Sequence, residues 1–311
     1  MLKLLRDIDS PGFPNDYLIT RIKARRAVLI ASWNAARAHG LPPGTSDERI
    51  WEGLLNELEW LYGQMSRGLR ERFASVFVLL ELKTIVLCLR NKEAGRVSEI
   101  DTLLAHTSLA DSVRQELRGR ADVRSSITAL IETTAGALPG LGEAATAYAH
   151  HGLRGFEDSL MRGYLAHTVA SQLHPVIRQF LCAFIDLRNV MILYKQLRWG
   201  VEDAGAFIEG GTLELSRLRQ LLATKEPNCW EELAKEATAL KVVPTAASEG
   251  ALETVLLTSL TQRLHQIGRD EHAVGLTLDY IWRIYVNARN LAVLCHASDL
   301  GEVTLERELI A

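Results

Sequence analysis

Asp186-Leu187-Arg188-Asn189-Val190 recurs, altered but in register, as Glu81-Leu82-Lys83-Thr84-Ile85 and as Asn287-Ala288-Arg289-Asn290-Leu291. The first positions of successive copies lie 105 and 101 residues apart. In each copy a second basic or titratable side chain follows the first by seven residues: Lys83 and Arg90, Arg188 and Lys195, Arg289 and His296. A glycine then follows (Gly95, Gly200, Gly301), with a valine within two residues of it (Val97, Val201, Val303). Glycine at that point suits the left-handed conformation just past a helix end. Self-similarity of this kind is the signature of an internally repeated fold.

The motif sits in helical sequence. Phe180, Phe184, Leu187 and Met191 fall at i, i+4, i+7 and i+11, one face of a helix. The same periodicity predicts helices over 16–38, 47–64, 67–92, 153–197, 213–223, 251–267 and 273–296. Pro42-Pro43-Gly44, Pro139-Gly140, Gly210-Gly211 and Pro227-Asn228 punctuate them. Sustained period-2 alternation is absent, so the expected class is all-α. Glu157-x-x-Leu160 and Glu253-x-x-Leu256 read as starts of long helices in copies two and three, with Glu57-x-x-Trp60 as a looser counterpart. Counting 24 residues from the first motif position gives 105, 210 and 311. The expected organisation is therefore three similar domains, 1–105, 106–210 and 211–311.

Within each motif the basic residue and its partner seven later share a helical face, and Asp186 and Asn189 occupy a neighbouring one. A polar strip of this kind ordinarily joins helices inside a unit or faces water. The sharper reading is that three equivalent strips line one surface, which makes Lys83, Arg90, Arg188, Lys195 and Arg289 candidate partner-contact residues.

Composition narrows the function. The 311 residues are 48% hydrophobic and 23% charged, ordinary for a globular chain large enough to bury its own core. With 35 basic against 38 acidic residues the net charge is −3, which leaves no electrostatic footprint for nucleic acid or anionic lipid. No apolar run approaches the ~20 residues of a membrane span, so the chain is not expected to enter the bilayer. Cys88, Cys182, Cys229 and Cys295 are widely spaced and form no CxxC, which fits a reducing compartment.

Familiar catalytic signatures are missing. There is no phosphate loop G-x-x-x-x-G-K-[ST], no HExxH and no Asp-Asp pair. Gly140-Leu141-Gly142-Glu143-Ala144-Ala145 lacks the preceding strand of a dinucleotide site and reads as a loop before a helix. His150-His151 read as an exposed pair in a Gly- and Ala-rich loop. His265, Asp270, Glu271 and His272 cluster between two helices and are explained as well by a helix end as by a metal. The six tryptophans read as core or interface anchors. No metal, nucleotide or organic cofactor is expected.

Phe184-Ile185-Asp186-Leu187-Arg188-Asn189-Val190 with Tyr194-Lys195 resembles the C-subunit family of archaeal and bacterial V-type ATPases, whose eukaryotic equivalents are the V-ATPase d subunits. Tyr285-Val286-Asn287-Ala288-Arg289-Asn290-Leu291 is similar to that family's C-terminal helix, and Asp16-Tyr17 with Arg21-Ile22-Lys23-Ala24-Arg25 to its opening arginine-rich helix. The likeness runs from about residue 15 to the C-terminus. Asn287 departs from the family by replacing an acid, and Lys83-Thr84 stand where the other copies have Arg-Asn. The resemblance implies a funnel of three similar helical domains around a pseudo-three-fold axis. One side would sit on the ring of membrane rotor subunits and the other would receive the foot of the central stalk. It implies torque transmission for ion transport at the cytoplasmic face of the membrane, with no catalysis, no small-molecule substrate and no nucleic acid. The competing readings are a free-standing helical scaffold and an all-α enzyme with an unrecognised pocket.

Overall fold

The computed structural model describes residues 4–134, 136–225, 229–238, 249–269, 272–296 and 308–310. Within them the chain is all-α. Twelve helices follow in order: α1 (Asn15–His39), α2 (Asp47–Gln64), α3 (Arg67–Glu93), α4 (Val97–Ala105), α5 (Asp111–Gly119), α6 (Val123–Thr134), α7 (Leu141–Ala170), α8 (Pro175–Trp199), α9 (Leu215–Thr224), α10 (Trp230–Thr238), α11 (Glu249–Ile267) and α12 (Ala273–Cys295). The only extended pairing among the described residues is an isolated antiparallel bridge between Leu5 and Leu109.

Periodicity located α1, α2, α3, α9, α11 and α12 closely, and the helix expected over 153–197 is a correction. It is two helices, α7 and α8, separated by Ser171–His174. Pro175 opens α8, where its missing N–H has no helical partner to lose, whereas in a continuous helix its ring would clash with the preceding turn. α7 begins twelve residues earlier than expected and takes in His150 and His151, which are helical rather than in a loop and remain exposed. Gly152, with φ 65° and ψ −159°, breaks α7 into two arms. The arms fold back on each other closely enough that a Cβ on Gly140 would lie 2.8 Å from Gly163 Cα. With φ 81° at Gly140 as well, no other residue fits there without strain.

Contacts divide the chain into two compact units. The first comprises Met1–Phe13 and Leu55–Ile177. Its core is built on α3, where Phe73, Val76, Phe77, Leu82 and Ile85 are buried. Tyr62 meets Phe77 edge-on at 4.8 Å. The buried Arg70 donates from Nη2 to the carbonyls of Ile8 (3.1 Å) and Ser10, fastening the N-terminal segment to α3. Cys88 is buried as a small hydrophobe, its thiol pushed up to about 12 by burial.

The second unit comprises Pro14–Leu54 and Arg178–Ala311. Phe180 packs edge-on against Trp282 at 5.9 Å, and Tyr194 against Trp230 at 5.2 Å. Trp282 Nε1 donates to Thr261 Oγ1 at 2.8 Å, so the buried indole keeps its polar end satisfied. Trp282 and Trp230 are thus core anchors, whereas Trp199 is exposed. No described helix is long and apolar enough to cross a membrane.

Candidate partner interface

α3, α8 and α12 carry the three motifs, and each divides its polar residues between a buried face and an accessible one. On the buried face, Asp186 accepts from the backbone N–H groups of Thr212 (2.8 Å) and Leu213 (3.0 Å) and from Thr212 Oγ1 (2.5 Å). Glu81 accepts from Thr107 Oγ1 and from Ser108 N–H, both at 2.5 Å. The partners stand 26 and 27 residues beyond the acid in both cases. Each carboxylate therefore clasps the segment that returns along its helix. The second polar position does the same with an amide. Asn189 exchanges two hydrogen bonds with the backbone of Ile208 (2.9 and 2.8 Å), and Asn290 exchanges two with Ile310 (2.8 and 3.0 Å). Thr84, in the amide's place, makes no such exchange and helps to lower the pKa of Glu81.

The helix ends repeat as well. Gly95 and Gly200 have φ of 71° and 66°, the left-handed conformation expected of them. Arg96 N–H bonds to Asn91 O (2.8 Å) and Val201 N–H to Gln196 O (3.0 Å), the six-to-one closure of a glycine-terminated helix. Gly301 and Val303 lie outside the described residues.

Burial pushes the Glu81 carboxyl up, and the bonds from Thr107, Ser108 and Thr84 offset this only in part, so it titrates above the ordinary carboxylate range. These acids and amides are structural. Their burial with satisfied hydrogen bonds removes them from any partner's reach.

The basic residues lie on the accessible side. Lys83 and Arg90 are exposed on α3, and Arg188, Lys195 and Arg289 are half-exposed. Arg90 pairs with Glu157 of α7, and Lys195 Nζ lies 2.7 Å from Glu249 of α11. His296, just past α12, places Nε2 2.9 Å from Asp47 Oδ2 in the first turn of α2. These are the second basic or titratable positions of the three copies. Each reaches an acid on another helix of the same unit.

Arg289 donates to Glu308 O at 3.0 Å and lies 3.4 Å from Glu253 Oε2. Arg188 stacks over the Phe184 ring at 5.8 Å. Arg289 and Arg188 converge near Tyr285, whose hydroxyl is pushed up by burial and by Glu253 and partly drawn back by the two guanidinium groups. Within the second unit, then, Arg188 and Arg289 share one neighbourhood.

Residue spacing did not reveal the charge centre at Asp279. This fully buried carboxylate on α12 holds Arg283 (2.9 Å), His265 of α11 (2.7 Å) and Arg26 of α1 (3.2 Å). Burial acts to raise its pKa, but His265 and Arg283 together outweigh it, so Asp279 titrates below the ordinary range. The available signal was Asp279 and Arg283 at i and i+4 inside an apolar helix. His265 is thereby committed to an ion-pair cluster. Asp270 and Glu271 lie outside the described residues. Among the described residues no group of three or more His, Cys, Asp or Glu is placed to hold a metal.

A family model described as ATP synthase (C/AC39) subunit matches residues 33–301, a span that takes in all three motifs. Compared with curated proteins, the chain has no match.

Proposed function

The chain belongs to the ATP synthase (C/AC39) subunit family, a family of V-type ATPase subunits, and on that premise we propose that it is the non-catalytic coupling piece that seats the central stalk on the membrane rotor ring. The observation that carries the reading is the extent of the family match, which includes every motif helix. It acts from the cytoplasmic face of the membrane, transmitting torque between stalk and ring for ion transport.

The three-copy organisation, with domains 1–105, 106–210 and 211–311 around a pseudo-three-fold axis, is part of the same proposal. Two recurrences support it. The carboxylate clasp repeats with identical spacing at Glu81 and Asp186, and the second basic or titratable position of each motif, at Arg90, Lys195 and His296, pairs in each case with an acid on another helix, Glu157, Glu249 and Asp47. A coupling piece needs stiffness more than chemistry, and buried, fully satisfied polar clasps supply it by fixing one arrangement of the return segments.

Lys83, Arg90, Arg188, Lys195 and Arg289 are the proposed stalk contacts. Their charges are accessible, and exposed charges of this kind steer encounter and fix orientation more than they add affinity. The test is co-purification of the chain with central-stalk and rotor subunits. A stable complex that weakens on replacing Arg188 and Lys195 together by alanine supports the reading. Absence of any complex with either partner refutes it.

A further inference from the structure

A cleft of about 600 Å³ opens in the first unit, between the start of α3, the α6–α7 turn, and the end of α7 with the segment leading to α8. That volume lies within the range of small-molecule sites, which run to roughly 300–1,000 Å³. It is distant in sequence from the motif's second positions and takes no part in the clasps.

Three basic side chains, Arg72, His167 and His174, and one carboxylate, Glu71, line its wall. Arg72 and His167 are exposed there, and His174 is half-buried beside them. His174 Nδ1 accepts from Val176 N–H at 3.3 Å, so in the neutral ring the proton sits on Nε2 and that nitrogen is a donor. Burial holds His174 below its ordinary pKa, and the Arg72 guanidinium adds to the effect. A fixed cation and a protonatable ring are thus held near each other. The acid at the described wall, Glu71, is engaged by Arg67 at 3.2 Å.

Ser75 borders the same cleft at 8% exposure, and its hydroxyl is buried with no hydrogen-bond partner among the described residues. That hydroxyl is sealed from solvent and does not reach into the cleft. Its carbonyl is already occupied, receiving the Tyr164 hydroxyl at 2.7 Å.

We propose that this cleft is a binding site for a phosphoryl group, with Arg72 and the His174 Nε2–H as its donors. A phosphoryl oxyanion is rich in acceptors and highly charged, which matches a donor set built on a guanidinium and an imidazole that can take up a proton. The volume exceeds that of inorganic phosphate and leaves room for an attached organic portion. Binding raises the His174 pKa by supplying the missing counter-charge, so affinity increases as pH falls through the histidine range.

The full chain, titrated calorimetrically with pyrophosphate at constant ionic strength, tests the site. Saturable one-to-one binding is expected, weakened about tenfold by Arg72→Ala and by His174→Gln, a loss of about 1.4 kcal/mol each. A histidine proton-resonance titration should show the His174 pKa rising when pyrophosphate is added. Sedimentation with phosphatidylcholine vesicles, with and without phosphatidic acid, separates the two sources of the group. Binding to the phosphatidic acid vesicles that Arg72→Ala abolishes assigns a lipid headgroup, and pyrophosphate binding alone assigns a small solute. No saturable binding in either arm, or binding that both variants leave unchanged, overturns the proposal. Stalk co-purification by Arg72→Ala stays intact, so failure here is separable from failure of the coupling role.

Discussion

His296 Nε2 lies 2.9 Å from Asp47 Oδ2, joining the last motif helix to the first turn of α2 across 249 residues of sequence. Arg90 with Glu157 and Lys195 with Glu249 make the corresponding links. All three are accessible pairs, and such pairs are individually worth about 0–1 kcal/mol. They orient neighbouring helices; they do not hold the fold.

Charge reversal should therefore cost little, and reciprocal reversal should recover it. Lys195→Glu is expected to destabilise by roughly 0.5–1 kcal/mol through repulsion with Glu249, and Lys195→Glu with Glu249→Lys to restore most of the loss. Urea unfolding of the single and double variants measures the coupling. Additive effects would show that the pair does not interact.

The clasps behave differently. Asp186→Ala strands the N–H groups of Thr212 and Leu213, each now bonded at 2.8–3.0 Å. Losing a charged acceptor to buried donors costs roughly 2–4 kcal/mol, against under ~1 kcal/mol for Arg188→Ala on the accessible side. Denaturant midpoints of the two variants test the division of α8 into a structural and an accessible face. Equal losses would contradict it.

Much of this was legible in the sequence and some was not. α1, α2, α3 and α12 have 25, 18, 27 and 23 residues, long enough for the sequence to show them. α4, α5, α6 and α10, with only 9 to 12 residues each, were missed although their apolar residues do fall at helical spacing, as at Val113 and Leu117 of α5. The motif register and its glycine ends were readable because they repeat. The burial of Asp186 was not, because its partners are backbone groups 26 and 27 residues away, and a backbone N–H has no letter in the sequence. The acids Glu157, Glu249 and Asp47 escaped for a related reason, since only tertiary packing brings them to the basic residues.

Glu81 titrates above its ordinary value in the folded chain, so the native state binds protons more tightly than the unfolded one. Its contribution to stability is fully present below the unfolded carboxylate pKa and declines as pH rises through the folded one. Glu81→Gln retains an acceptor for Ser108 N–H and a donor for Thr107 Oγ1 while removing the charge. The variant should lose this part of the pH dependence and match or exceed the parent's melting temperature near neutrality. A steep loss of stability at about pH 7 would show that the ionised form is required.

Asp279 has the opposite sign. Its folded pKa is lowered, so its contribution is present above the unfolded pKa and is lost as pH falls through the folded one. Asp279→Asn leaves Arg283, His265 and Arg26 without their shared carboxylate. The expected cost is roughly 2–3 kcal/mol, less than the ~3–5 of a fully buried pair because the cations are partly solvated. The variant should also show a flatter acid limb in a melting-temperature profile. An unchanged limb would assign acid sensitivity to other groups.

The coupling role is tested most directly by equilibrium binding of the purified chain to the purified central stalk at low and high salt. A one-to-one complex that weakens as salt rises is expected. The Arg188→Ala/Lys195→Ala variant should bind less tightly and with a shallower salt dependence, at a nearly unaltered melting temperature. No complex at either salt concentration, or a complex that the double variant leaves unchanged in affinity and salt dependence, would contradict it.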